Sequence, residues 1–327
     1  MLTNKDLKKK ALDKDLDKIS FVSEAAEAMG RRLVGPGLAL VFLVICACVA
    51  AFQVSSSGFS NMLILVAASA IGGYMALNIG ANDVANNVGP AVGARVVSLT
   101  GALLIAAVCE SAGALLAGAD VVSTVSGDIL SPSDVRNSSE FMLAMLTAMA
   151  ASALWINFAT VIGAPVSTTH SIIGGVVGAG IAASGFAAIN WTTISTIAAS
   201  WVLSPVLGGL VGAGIMAFIN SRIVYTPDRL KAARYWLPIL LGLMGATFTG
   251  YILLKTSDRL ISVPEWLAIV LSLTVGFVVW RIYCRVIHAQ TLTLENSARA
   301  LRNLFAVPLM VAAGLLSFAH GANDVAN

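Results

Sequence analysis

NIGANDVANNVGPAVGAR, residues 78–95, continues an apolar run without a break. The run puts it at membrane depth, yet it carries Asn78, Asn82, Asp83, Asn86 and Asn87 together with three glycines and Pro90. A charged side chain at the bilayer centre costs at least about 2.5–3.5 kcal/mol, so it persists where it faces protein or a solvated cavity. Glycine and proline loosen the helix ladder, and freed carbonyls can coordinate cations. The heptapeptide GANDVAN at 80–86 recurs at 321–327, a constant offset of 241 residues that Gly73 and Gly314 also keep. An internal repeat in so apolar a chain is the mark of a secondary transporter.

Composition agrees. Apolar residues make up 57% of the chain and charged residues 11%, against roughly 25% charged in a soluble domain. Mean hydropathy is +0.86. The chain reads as an all-α polytopic membrane protein, with the lipid bilayer as its surroundings and no nucleic-acid partner. Cys46, Cys48, Cys109 and Cys284 sit in or beside apolar segments without metal-ligand spacing, so they read as small hydrophobes. Residues 1–32, with eight Lys/Arg and six Asp/Glu, are too long and too mixed in charge for a signal peptide. Leu7, Leu12, Leu16 and Ile19 recur at roughly helical spacing, which fits either a surface helix or a solvated cytoplasmic extension.

Apolar runs occur at 33–54, 60–80, 98–119, 141–163, 171–187, 192–219, 236–254, 263–283 and 304–320. A span needs about 20 residues, so the short, Gly-rich run at 171–187 is read as half of a re-entrant hairpin with 141–163. With the N-terminus inside, 17 of the 20 Lys/Arg fall on the inner side; only Arg136, Lys255 and Arg259 fall outside. The run ending in the first GANDVAN then crosses inward, and the run ending in the second crosses outward. This is inverted-repeat topology, which predicts that the two motifs meet near the midplane. The organisation expected is an extension (1–32), an extra helix (33–54), a first repeat (60–219), a linking segment (220–303) and the start of a second repeat (304–327). Because the second motif closes the sequence, the second repeat reads as truncated. Short loops point to a bacterial inner membrane, with the N-terminus cytoplasmic.

A second polar cluster, GAPVSTTH at 163–170, also lies between apolar runs. Pro165 breaks the preceding helix. Ser167, Thr168 or Thr169 can cap the next, with its start expected near Ile172. A capped helix N-terminus ringed by hydroxyls is an anion site.

The paired GANDVAN motifs with PVSTTH at 165–170 resemble the PiT family of inorganic phosphate transporters, in segment order from about residue 60 to 327. The resemblance implies an inverted-repeat carrier that moves inorganic phosphate by symport with sodium or protons, and no enzyme. It places substrate and ion binding at Asn82, Asp83, Asn86, Asn323, Asp324 and Asn327, with phosphate held by Ser167, Thr168 and Thr169. Sodium would sit at Asp83, Asn82, Asp324 and Asn323. No organic cofactor is expected, and a homodimer is a candidate assembly. Glu110, alone in an apolar helix, and His170 are candidate proton or coupling groups. Interhelical hydrogen bonding is the plainer role for the asparagines. A sulfate permease of the same fold, and a metal–phosphate/proton symporter, are the alternatives on the same scaffold. His320 precedes the second motif where Ile79 precedes the first, an asymmetry without an assigned role.

Overall fold

A computed structural model describes residues 35–52, 59–118, 122, 127–130, 138–256 and 263–325. The 1–32 extension and Asn327 lie outside these. Nine long helices account for most of the described residues. They are α1 (Gly35–Phe52), α2 (Phe59–Gly93), α3 (Leu99–Ala117), α4 (Ser138–Val161), α5 (Thr168–Ser184), α6 (Trp191–Ile219), α7 (Arg229–Thr256), α8 (Glu265–Thr291) and α9 (Ala298–Asp324). All but α5 are long and apolar enough to cross a membrane. Among the described residues β-structure is limited to one antiparallel bridge, Leu130 to Ile189. Many large side chains face outward, Leu115 at 85% and Phe52 at 84% exposure, as expected where the solvent is lipid.

The chain divides into two compact units, Met1–Leu77 and Asn78–Asn327. In the first, Gly73 lets helices approach: a Cβ there would lie 3.1 Å from Leu43 Cδ2 and 3.3 Å from Cys46 Sγ. The second holds everything described below.

Sequence and structure differ on the first motif. The apolar run expected to end at residue 80 is part of one helix reaching Gly93, so GANDVAN is helical throughout. Carbonyls are therefore not broadly freed. Pro90, which lacks an N–H, deprives the Asn86 carbonyl of its usual donor. The second motif is likewise helical as far as Asp324. The motifs offer side chains, set by helical periodicity, rather than an unwound backbone. Helices α7, α8 and α9 also outrun their apolar cores, because Arg and Lys extend a helix well in its polar turns.

Local chemistry sets the ends. After α4, the Gly163 N–H donates to the Thr160 carbonyl (3.1 Å) and the Ala164 N–H to the Ala159 carbonyl (2.8 Å). Gly163 takes φ 72°. This is a Schellman ending, which favours glycine at that position. Helix α5 then starts at Thr168, four residues before the expected Ile172, because Ser167 is its cap: the Ser167 hydroxyl accepts the His170 N–H at 3.2 Å. Helix α2 ends in the same bonding pattern, but with Arg95 at φ 57° where glycine would be unstrained. Arg302 of α9 donates to the neighbouring Ala94 carbonyl at 2.7 Å.

Small residues let the helices close. Helices α4 and α5 form a hairpin: Ser152 donates to the Ala148 and Ser171 carbonyls, both at 2.8 Å. Helices α7 and α8 pack through Gly242 and Gly276; a Cβ on Gly242 would stand 2.9 Å from the Gly276 carbonyl oxygen. Helices α3 and α9 approach most closely at Gly113 against Phe318 and Gly321 against Glu110, where a Cβ would collide with backbone. Thus the first glycine of the second motif is what brings Glu110 to the site.

Candidate functional site

Helical periodicity gives the first motif two faces. Asn78 and Asn82, four residues apart, meet α4. Asn157 Nδ2 donates to Asn78 Oδ1 at 2.8 Å, and Asn82 Nδ2 to Thr160 Oγ1 at 2.9 Å. Thr160 passes its own hydroxyl proton to the Ile156 carbonyl (2.8 Å). The other face presents Asp83, Asn86 and Asn87 to a cavity of about 210 Å³. Ser167, Thr168 and Thr169 at the head of α5 line that cavity, with His320 and Asp324 of α9.

His320 is the centre of this cluster. Its Nδ1 lies 3.2 Å from Glu110 Oε1; its Nε2 lies 3.2 Å from Asp324 Oδ2 and 3.7 Å from Asp83 Oδ2. The Nε2 contacts are at ion-pair distance without hydrogen-bond alignment. Glu110 Oε1 also accepts from Asn87 Nδ2 at 2.9 Å. Thr168 Oγ1 donates to Asp324 Oδ2 at 2.8 Å. The four ionisable side chains are between 13% and 25% exposed, so water screens them weakly. Three carboxylates around one imidazole form a strongly cation-seeking site. Asp83, His320 and Asp324 each offer a ligand atom, all within 4.8 Å of one another.

The two copies of the motif therefore meet, through Asp83 and Asp324 on one histidine. The four residues expected to hold sodium, Asp83, Asn82, Asp324 and Asn323, are not all brought together. The carboxylates converge, but Asn82 is held by Thr160 and Asn323 lines a different cavity. His170 is also turned away: its ring packs at a tilt against Trp201 of α6, with ring centroids 3.9 Å apart. Thr168 and His170 are two residues apart, about 200° around a helix, so they cannot share a face.

The profile of the phosphate transporter family matches residues 79–327. The chain belongs to the phosphate transporter family. Among its relatives is a protein of Helicobacter pylori strain J99 that carries the provisional name phosphate permease. It is 44% identical over 315 residues, covering 96% of this chain and 58% of the relative. A provisionally named phosphate permease of Chlamydia muridarum is 36% identical over 281 residues, covering 79% of this chain and 66% of its own. A solved structure described as the sodium-dependent phosphate transporter superposes with a TM-score of 0.76 at 35% identity, over 81% of this chain and 65% of that one. This chain thus spans just under three-fifths of the Helicobacter relative's length. The family likeness read from the paired motifs and PVSTTH is borne out. The family is one of transporters, not enzymes.

Sequence reasoning left His320 without a role. Its signal was the broken symmetry with Ile79: a lone imidazole in an apolar helix, one residue before the motif. Asn87 adjoins the first motif and, like Asn157 and Thr160, became meaningful only once the helices had partners.

Proposed function

We propose that this protein carries inorganic phosphate across a membrane in symport with a cation, by alternating access between the two motif-bearing helices. The observation that carries the reading is a hydroxyl-tipped helix N-terminus opening on the same cavity as Asp83 and Asp324, in a chain of this family. The N-terminus of α5 carries a partial positive charge, and Ser167, Thr168 and Thr169 supply donors for a tetrahedral oxyanion. Among the described residues no lysine or arginine lines this cavity. An anion beside two carboxylates is repelled unless a cation lies between them. Coupling is then a condition of binding: the cation on Asp83 and Asp324 makes the place where phosphate can sit. The same cation offsets the work of moving an anion against an inside-negative potential, about 2.3 kcal/mol per charge per 100 mV. The likeness to a sodium-dependent transporter favours sodium. The bias of Lys/Arg supports an N-terminus on the cytoplasmic side; a cysteine at Ser221 should then label from inside and one at Ser56 from outside.

The Asp83–His320–Asp324 group supports a second reading, symport of a divalent metal–phosphate complex. Sodium prefers oxygen alone, whereas a mixed imidazole–carboxylate set suits divalent transition metals. One experiment separates them: labelled phosphate uptake into proteoliposomes, with sodium and proton gradients imposed singly, divalent metal added or chelated, and excess sulfate as competitor. Uptake that follows sodium and ignores chelation and sulfate supports the first reading. Uptake abolished by chelation supports the second. Uptake blocked by sulfate replaces the substrate.

A further inference from the structure

A second and larger cavity, about 500 Å³, lies between α5 and α6. Ser167 and Thr169 line both it and the first cavity. The two spaces thus share a rim of hydroxyls. Its far wall is Ser200, Trp201 and Ser204 of α6, and Asn323 of the second motif also lines it.

Helix α6 makes this wall unusual. From Trp201 to Ile219 it reads WVLSPVLGGLVGAGIMAFI, apolar apart from Ser204. Ser200 and Ser204 are four residues apart, hence on one face, and that face is the cavity's. Pro205 also lines the cavity and supplies no N–H, so the Trp201 carbonyl lacks its usual helical donor. Polar groups placed this way in a membrane helix offer a polar solute hydrogen-bonding partners. Their chemistry suits an oxyanion held without a full counter-charge. The Asn323 amide, the Trp201 indole and the Ser204 hydroxyl can donate. The Ser200 hydroxyl already donates to the Ile197 carbonyl at 2.6 Å, which leaves its lone pairs to accept. A phosphate that retains a proton both accepts and donates; fully deprotonated sulfate only accepts. The His170–Trp201 pair, with rings inclined at 41°, flanks the shared rim.

We propose that this cavity is a second phosphate station, from which the ion passes across the Ser167–Thr169 rim to the cation-linked site at Asp83 and Asp324. The proposal rests on the phosphate reading above and adds Ser200, Trp201 and Ser204 to the residues that phosphate meets.

The test uses the whole protein in proteoliposomes, with inorganic phosphate as the probe. Ser204→Trp puts a bulky ring into the second cavity and leaves the first intact. It should lower the uptake rate by about tenfold or more while equilibrium phosphate binding stays within about a factor of two. Thr168→Ala, at the first cavity, should weaken binding itself. Should the tryptophan variant misfold, Ser204→Cys, in a chain with its four native cysteines changed to alanine, gives the second measurement. Saturating phosphate should slow its modification by a negatively charged thiosulfonate about tenfold, and sulfate should protect less. Wild-type uptake in Ser204→Trp, or modification of Ser204→Cys unaffected by phosphate, overturns the second station and leaves the first site standing. A wild-type protein that binds no phosphate overturns both.

Discussion

Alanine at the first glycine of each motif should have opposite effects, although the seven-residue sequences are identical. Around Gly80 there is open space: a Cβ would meet nothing within 4 Å. Gly80→Ala removes a flexible residue from the interior of α2, which stabilises a helix by about 0.8–1.0 kcal/mol. Gly321 instead presses on α3, where a Cβ would run into the Glu110 carbonyl and Cα. Backbone cannot swing aside as a long side chain can, so α9 must withdraw. Overpacking of this kind costs typically about 1–3 kcal/mol. Withdrawal also lengthens the 3.2 Å contact between His320 Nδ1 and Glu110 Oε1, so function should fall further than stability. The assay is a thermal melt of the purified protein in detergent, beside labelled phosphate uptake. Gly80→Ala should melt at or above the wild type and transport; Gly321→Ala should melt lower and lose uptake. Equal behaviour of the two would refute the α3–α9 approach, and with it the account of how Glu110 reaches the site.

The Thr168–Asp324 bond should appear in a double-mutant cycle: Thr168→Ala and Asp324→Asn should couple by about 0.5–3 kcal/mol in phosphate binding, and additive effects would place the two residues apart. Removing the Asn82 amide with Asn82→Ala should cost stability near the membrane average of about 0.6 kcal/mol, and no more than about 1.7 kcal/mol; a far larger melting shift would give Asn82 a further partner. Glu110→Gln keeps an acceptor for Asn87 but removes a charge from His320, so it should melt near the wild type yet lose coupled uptake; retained uptake would make Glu110 structural. Arg95→Gly relieves a left-handed arginine and should stabilise by about 1 kcal/mol; a loss would show that the Arg95 side chain outweighs the strain.

Particular residues show what the sequence could and could not disclose. Asp83 and Asp324 were legible as partners, because a repeated intramembrane carboxylate has little reason to exist except facing its twin. All nine apolar runs became helices, since hydropathy reports burial in lipid directly. The helix ends were less legible: charged turns at Arg229, Arg285 and Ala298–Arg302 continue the spans, and hydropathy discards them. Side-chain direction was not legible at all. In STTH, moving the start of α5 from Ile172 to Thr168 decides that Thr168 meets Asp324 and His170 meets Trp201. Equivalence by repeat also misleads: Asn82 and Asn323 hold matching places in the two motifs, yet one is bonded to Thr160 and the other lines the second cavity.

The α4–α5 hairpin touches both copies of the motif. Its long arm is bonded to α2 through Asn157 and Thr160; its tip is bonded to α9 through Thr168. Mechanically it is an arm held at both ends, with the Thr168 bond as its latch on the second motif. For the proposed transport cycle to part the two motifs with the hairpin staying on the first, the Thr168–Asp324 bond has to break. The hydroxyl that would hold phosphate is also the latch, and an anion competing with Asp324 for that one proton would loosen the joint by arriving.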